Sequence, residues 1–240
     1  MATDQRQRWS SCLRDEITRH FPDRATHELR VLEIGTGPGF FAILLCELGY
    51  DVTAIDLTPA MLKEAKKNAG LLAGEIHWIE MNAEALDFAD GSFDVVVSRN
   101  LTWNLPHPER AYAEWARVLK PGGLLLNFDA NWYAYLFDEA AQAAYDRDRA
   151  NSAEQGVGDQ NLGENFDTME NIARRMPLSN IRRPAWDLKR LRALGLDAEA
   201  DETVWQRVWS KEEKLNFAST PLFLVIAIAH SKQLHFYEFD

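Results

Sequence analysis

Cysteine is nearly absent from this 240-residue sequence: Cys12 and Cys46 stand alone, and neither belongs to a Cys-x-x-Cys pair. That excludes a thiolate zinc site and favours a reducing compartment. Cations are also in short supply. Against 37 Asp and Glu there are 26 Lys and Arg, a formal net charge of −11, which opposes DNA, RNA and anionic membrane surfaces because binding them needs Lys and Arg to displace counterions. No run approaches the roughly 20 apolar residues of a membrane span, and the opening MATDQRQRW lacks a charged-then-apolar signal pattern. The expectation is a cytoplasmic protein that partners neither nucleic acid nor membrane. Internal repeats and low-complexity tracts are missing as well.

What is present is 46% hydrophobic sequence, enough for a single α/β domain over residues 1–240 with an insertion. Trp9, Cys12, Leu13, Ile17 and Phe21 recur at three- and four-residue steps, predicting an N-terminal helix within residues 1–21 that Pro22 ends. Arg30–Ile34 and Asp51–Ile55 read as strands, with helices at Phe40–Leu48 and Pro59–Ala73. Further strands are expected near Ile76–Glu80, at Phe93–Val97 and at Leu124–Phe128, with a helix at Pro108–Leu119 stopped by Pro121-Gly122-Gly123. This βα alternation predicts a doubly wound sheet. Residues 131–183 are too long for an ordinary connection and read as a helical insertion or lid, with helical periodicity at Tyr135–Tyr145, a polar run at Asn151–Asn165 and a short helix to Met176. The core resumes with a helix at Trp186–Leu194, a strand near Ala198–Trp209, a polar connection at Lys211–Pro221 and a last strand at Leu222–Ala229.

Val31-Leu32-Glu33-Ile34-Gly35-Thr36-Gly37-Pro38-Gly39 is a buried strand that runs into a glycine-rich turn and then a helix. Without a Cβ, Gly35 and Gly37 let a ligand lie directly against the main chain. The alternative is a tight turn with no ligand. A dinucleotide site would want a third glycine where Phe40 stands. Asp56, at the end of the second strand, suits ribose hydroxyls in either kind of nucleotide site, and also suits a helix N-terminus ahead of Thr58-Pro59.

With glycines at 35, 37 and 39 and Glu33 two residues upstream, the turn resembles motif I of class I S-adenosylmethionine-dependent methyltransferases. Asn82-Ala83-Glu84-Ala85-Leu86, Asp90-Gly91-Ser92-Phe93-Asp94 and Arg117-Val118-Leu119-Lys120-Pro121-Gly122-Gly123 are similar in order and spacing to the later landmarks of the methyltransferase type 11 group, over about residues 30–130. The resemblance implies a Rossmann-like, seven-stranded, mostly parallel sheet with an antiparallel last strand and the helical insertion after strand five. It implies S-adenosyl-L-methionine as cofactor, with S-adenosyl-L-homocysteine as product. The implied cofactor site is Glu33, Gly35, Thr36, Gly37, Gly39, Asp56, Leu57, Asn82, Ala83, Glu84, Ser98 and Arg99; Asn82 and Ala83 would face the adenine, and Ser98 to Asn100 would lie by the methionine end. Two positions depart from the group: Asn82 stands where Asp is usual, and Thr102-Trp103 stand where many relatives carry two histidines.

Methyl transfer from a sulfonium needs an aligned nucleophile more than it needs a base. The acceptor edge is expected at the ends of strands four and five, where Trp103, Asn131, Trp132 and Tyr133 are candidate substrate contacts and His107, Asn100, Trp103 and Asp129 candidate catalytic groups. For each aromatic residue the plain alternative is packing of the insertion onto the core, and for His107 a helix cap. Between Glu170 and Arg192 lie Arg174, Arg175, Arg182, Arg183, Lys189, Arg190 and Arg192, which suit either a substrate anion or a solvated helix face. No metal is expected: Asp129 and Asn131 resemble ligands of catechol-type enzymes, but Ser98-Arg99-Asn100 lacks the further acid those enzymes need, and His230, His235 and Glu238 are too sparse. The reading is therefore a small-molecule O-, N- or S-methyltransferase (EC 2.1.1.-) of undefined oligomeric state. Its rivals are a non-catalytic cofactor-binding protein and an NAD-dependent oxidoreductase, the latter opposed by Phe40 and the lack of a Tyr-x-x-x-Lys pair.

Overall fold

β-branched and leucine-rich runs supply the sheet in the computed structural model, which describes residues 3–159 and 166–230. Its strands are β1 Arg30–Ile34, β2 Asp51–Asp56, β3 His77–Glu80, β4 Phe93–Arg99, β5 Leu119–Asp129, β6 Leu196–Asp201 and β7 Phe223–Ala229. They lie in the order β3-β2-β1-β4-β5-β7-β6. β1 to β5 pair in parallel, and β7 runs antiparallel to both β5 and β6. This is the doubly wound, mostly parallel seven-stranded sheet that the sequence implies.

The chain reverses its direction of winding between β1 and β4, and at such a switch the crossover helices diverge and leave a crevice at the carboxyl edge. Register decides what lines that crevice. Ile34 pairs with Ile55 on one side and with Ser98 on the other, and Ser98 pairs with Asn127. The residues that follow, from Gly35, Asp56, Arg99 and Phe128, therefore emerge along one edge.

Each sheet face is covered by a helical layer because the buried strands carry apolar residues on both sides. Against one face pack α1 Thr3–His20 and α2 Phe40–Glu47, through Trp9, Leu13, Ile17, Phe41 and Leu44, with α8 Trp205–Val208 adding Val208. α3 Pro59–Ala69 joins this layer by Ala69. The opposite face holds α4 Pro108–Val118, through Tyr112 and Trp115, and α7 Ala185–Ala193, through Leu191. Full burial of side chains of this size stabilises by roughly 1.5–3 kcal/mol each, so both layers are integral to the fold.

Three local expectations are corrected. α5 spans Glu139–Glu154 rather than Tyr135–Tyr145, because Asp138 caps it by accepting from the Ala141 amide at 2.7 Å, and Tyr135 lies in a 3-10 turn before it. The strand expected to reach Trp209 ends at Asp201, whose carboxylate accepts from the Thr203 amide and hydroxyl and turns the chain into α8. Lys211–Asn216, expected as a polar connection, is α9, started by a reciprocal capping box between Ser210 and Glu213. α6 covers Phe166–Ala173. Residues 160–165 of the expected polar run, together with His235 and Glu238, fall outside the described residues.

Candidate functional site

The glycine turn closes by donating the Gly35 and Thr36 amides to the Ile55 carbonyl, both at 2.9 Å. All three glycines have positive φ, which side chains disfavour. Their surroundings separate their roles. A Cβ on Gly35 would meet the Leu101 methyls at 2.7 and 2.9 Å, and one on Gly39 would meet Ala65 Cβ at 2.9 Å, where α2 crosses α3. Gly37 alone would project its Cβ into open space, with nothing within 4 Å. It is the bare stretch of main chain on the crevice side.

Beneath the turn, Glu33 is 3% exposed, and its Oε2 has no hydrogen-bond partner. Burial pushes its carboxyl up to about 7, against smaller downward pulls from Thr36, Arg99 and the Ala42 amide. The buried Thr36 hydroxyl lies beside it and has no other partner among the described residues. Asp56 accepts from the Gly37 amide at 2.8 Å and from the Thr58 amide at 2.8 Å, so the carboxylate that ends β2 fixes both the glycine turn and the start of α3. Leu57, 65% exposed, follows at the same edge.

The next landmarks are tied into the framework by backbone bonds. Asn82 Oδ1 accepts from the Glu84 amide at 2.9 Å, the Ala83 carbonyl accepts from Trp115 Nε1, and Glu84 Oε1 accepts from the His107 amide at 2.6 Å. His107 is itself exposed and stands at the N-cap position of α4 without a side-chain capping bond. Ser98 is fully buried and spends its hydroxyl on the Ile34 carbonyl, bracing β4 against β1. Arg99 lies beyond it. Burial lowers its pKa, while Glu33 and Glu213 raise it.

After β4, Asn100 adopts a left-handed φ of 55° and its carbonyl accepts from Trp103 Nε1 at 3.1 Å. Trp103 faces Tyr133, ring centroids 4.8 Å apart and tilted by 43°, and the row continues through Tyr135 to Tyr145. Both Trp103 and Tyr133 are half-buried. Trp132 and Asn131 face elsewhere: Trp132 packs on Trp209 and Phe217, and Asn131 pairs with the Arg183 backbone.

Residues 32–127 match the family model described as Methyltransferase domain. An uncharacterised protein of Mycobacterium tuberculosis is 40% identical over 103 residues, 43% of this chain and 37% of its own length. A ubiquinone/menaquinone biosynthesis C-methyltransferase of Methylobacterium nodulans is 39% identical over 122 residues, 49% of this chain and 47% of its own. The chain thus spans about half or less of the length of these relatives. Among solved structures, phosphoethanolamine N-methyltransferase 2 of Haemonchus contortus, crystallised with S-adenosyl-L-methionine, has a TM-score of 0.58 at 17% identity, covering 90% of this chain and 51% of that one. At that identity the likeness speaks for the fold.

The carboxyl edge of the sheet carries one feature that local sequence patterns could not reveal. Asp129, fully buried at the end of β5, accepts from Arg183 Nη1 at 2.6 Å, from Trp132 Nε1 at 3.0 Å, and from the Trp103 and Ala130 amides. Arg183 also grips Asp187 through Nε and Nη2, and Tyr112 donates to Asp187. Neither solvated nor free for a substrate anion, Arg183 joins the end of the insertion to the sheet. Asp129 orients Trp103 and Trp132 and has no lone pair facing the crevice unspoken for by these four donors.

Proposed function

We propose that the chain binds S-adenosyl-L-methionine against the Gly35–Gly39 turn and transfers its methyl group to a small-molecule nucleophile. The observation that carries this is the pairing of the open Gly37 face with the unpartnered buried oxygen of Glu33. A cationic amine satisfies that oxygen, and main chain without a side chain accommodates the thioether chain of the cofactor. Asp56 and Leu57 stand where a ribose and an adenine edge would rest, with Asn82 and Ala83 beyond them.

When bound, the cofactor supplies an electrophilic methyl on a sulfonium. The protein's own part is alignment. Trp103 and Tyr133 offer two ring faces to a flat or cationic acceptor, in keeping with the ubiquinone/menaquinone biosynthesis in the name of the Methylobacterium relative. Asp129 holds Trp103 by its amide and is ion-paired with Arg183, so it positions the edge rather than abstracting protons from it. Rate enhancement then rests on holding nucleophile and methyl in line. Two free cysteines support a reducing, cytoplasmic setting.

Tryptophan quenching by S-adenosylhomocysteine but not by NADH is the expected binding result. Demethylated quinols, phenols, amines and thiols are then offered with S-adenosylmethionine, and S-adenosylhomocysteine formation is followed. Binding without turnover on any acceptor leaves a non-catalytic cofactor protein; quenching by NADH alone refutes the proposal.

A further inference from the structure

The formal charge of −11 is not spread evenly over this chain. Residues 171–196 hold seven cations and a single acid, Asp187. That acid is buried and bound to the equally buried Arg183, so the surface of the segment draws its charge from cations alone. Arg174, Arg175, Arg182 and Lys189 are all exposed. Arg174 reaches Glu170 only at 3.9 Å, and the other three have no ion pair among the described residues.

The same segment also leaves apolar side chains in water. Ile172 and Ile181 are 37% and 38% exposed. Their neighbours hold them there: Ala173 and Leu178 are buried, and the Arg175, Ser179 and Ile181 amides donate to the Ile172, Met176 and Leu178 carbonyls at 2.9, 3.3 and 3.2 Å. These consecutive turns keep 172–182 compact. Arg183 then roots the segment on Asp129, at the carboxyl end of β5.

Charges farther apart than about 8 Å are largely screened at physiological ionic strength. A partner therefore meets this strip and not the sum over the whole chain, which is the quantity that opposes an anionic surface. That partner must take arginines and isoleucines together. A nucleic acid backbone answers the first and leaves the second in water. An anionic bilayer answers both, since headgroup phosphates receive the cations and the acyl boundary beneath them receives the apolar side chains, with no matched shape required.

We propose that residues 172–189 form a docking surface for an anionic lipid bilayer, bound peripherally through these cations and isoleucines. The Arg183–Asp129 pair ties that surface to the edge of the sheet where the crevice opens. Docking of this kind needs no cofactor.

The test sediments the whole chain with phosphatidylcholine vesicles, with and without phosphatidylglycerol, at low and high salt. Binding is expected to the vesicles that contain phosphatidylglycerol only, and salt is expected to weaken it. Each lysine or arginine at an anionic surface strengthens binding about fivefold, so Arg175→Gln combined with Arg182→Gln is expected to weaken it about 30-fold. Ile172→Ser combined with Ile181→Ser is expected to weaken it severalfold without changing its salt dependence. Lys63→Gln combined with Lys66→Gln, an equal change of charge on the exposed side of α3, is expected to alter it little. All three variants are expected to keep the melting temperature and the S-adenosylhomocysteine quenching of the wild type. No binding to either vesicle, equal binding to both, an isoleucine variant that binds like the wild type, or as great a loss in the α3 variant as in the arginine variant overturns the proposal. Salt-sensitive capture by polyglutamate without vesicle binding overturns it in favour of an acidic protein partner. Quenching by S-adenosylhomocysteine survives each of these failures, and its absence from the wild type bears on the cofactor site alone.

Discussion

Glu33→Gln separates what this carboxyl does for binding from what it does to the fold. The wild-type group sits near 7 in the folded protein and near 4.5 in the unfolded chain, because burial penalises its charge. A folded-state value above the unfolded one means that the proton stabilises the fold at low pH, and that this contribution is lost as pH rises through 7. Between about pH 5 and about pH 8 the folded protein must release a proton that the unfolded chain has already given up over most of that range, which removes about 2.5 kcal/mol. The glutamine variant has no such proton. Urea unfolding followed by tryptophan fluorescence is expected to give matching stabilities at about pH 5 and a variant more stable by about 2.5 kcal/mol at about pH 8. A stability difference that is the same at both pH values refutes the assignment of a buried, neutralised Glu33.

Gly37→Ala is expected to leave the melting temperature within a few degrees while abolishing quenching by S-adenosylhomocysteine; Gly39→Ala is expected to lower the melting temperature, since its Cβ meets Ala65. Arg183→Met leaves Asp129 and Asp187 buried without their cation, and a loss of about 3–5 kcal/mol in urea unfolding is the expected cost. Asp56→Ala is expected to weaken S-adenosylhomocysteine by about 1–3 kcal/mol in calorimetry, combining lost ribose bonds with a loosened Gly37 amide. Trp103→Ala is expected to raise the acceptor KM while the cofactor Kd stays put; equal change in both would place Trp103 outside the acceptor edge.

Elements governed by their own neighbours were legible in the sequence. β1 begins at Arg30 and ends at Ile34 as the apolar run predicts, and α2 starts at Phe40 because the glycines before it cannot sustain a helix. α9 carried a readable signal in Ser210-x-x-Glu213, outweighed by the polar composition around it. The periodicity at Tyr135–Tyr145 suggested a helix, yet in the structure these tyrosines join Tyr133 in a row across a turn and a helix, since aromatic faces attract whatever backbone carries them. The pairing of Asp129 with Arg183 was out of reach: nothing local in either segment specifies a partner that only the closed sheet delivers.

Asn131 donates its side-chain amide to the Arg183 carbonyl at 2.9 Å and accepts from the Arg183 amide at 3.1 Å. One residue thereby imitates a strand neighbour and cinches the two stems of the long excursion where it leaves and rejoins the sheet. A segment fastened so close to its roots charges the sheet almost nothing for its contour, since doubling a closed loop costs only about 0.6 kcal/mol. The span between those stems can thus change in length at little entropic cost to the strands below, wherever it is not itself held, as Asp148 is by accepting from the Ser219 amide.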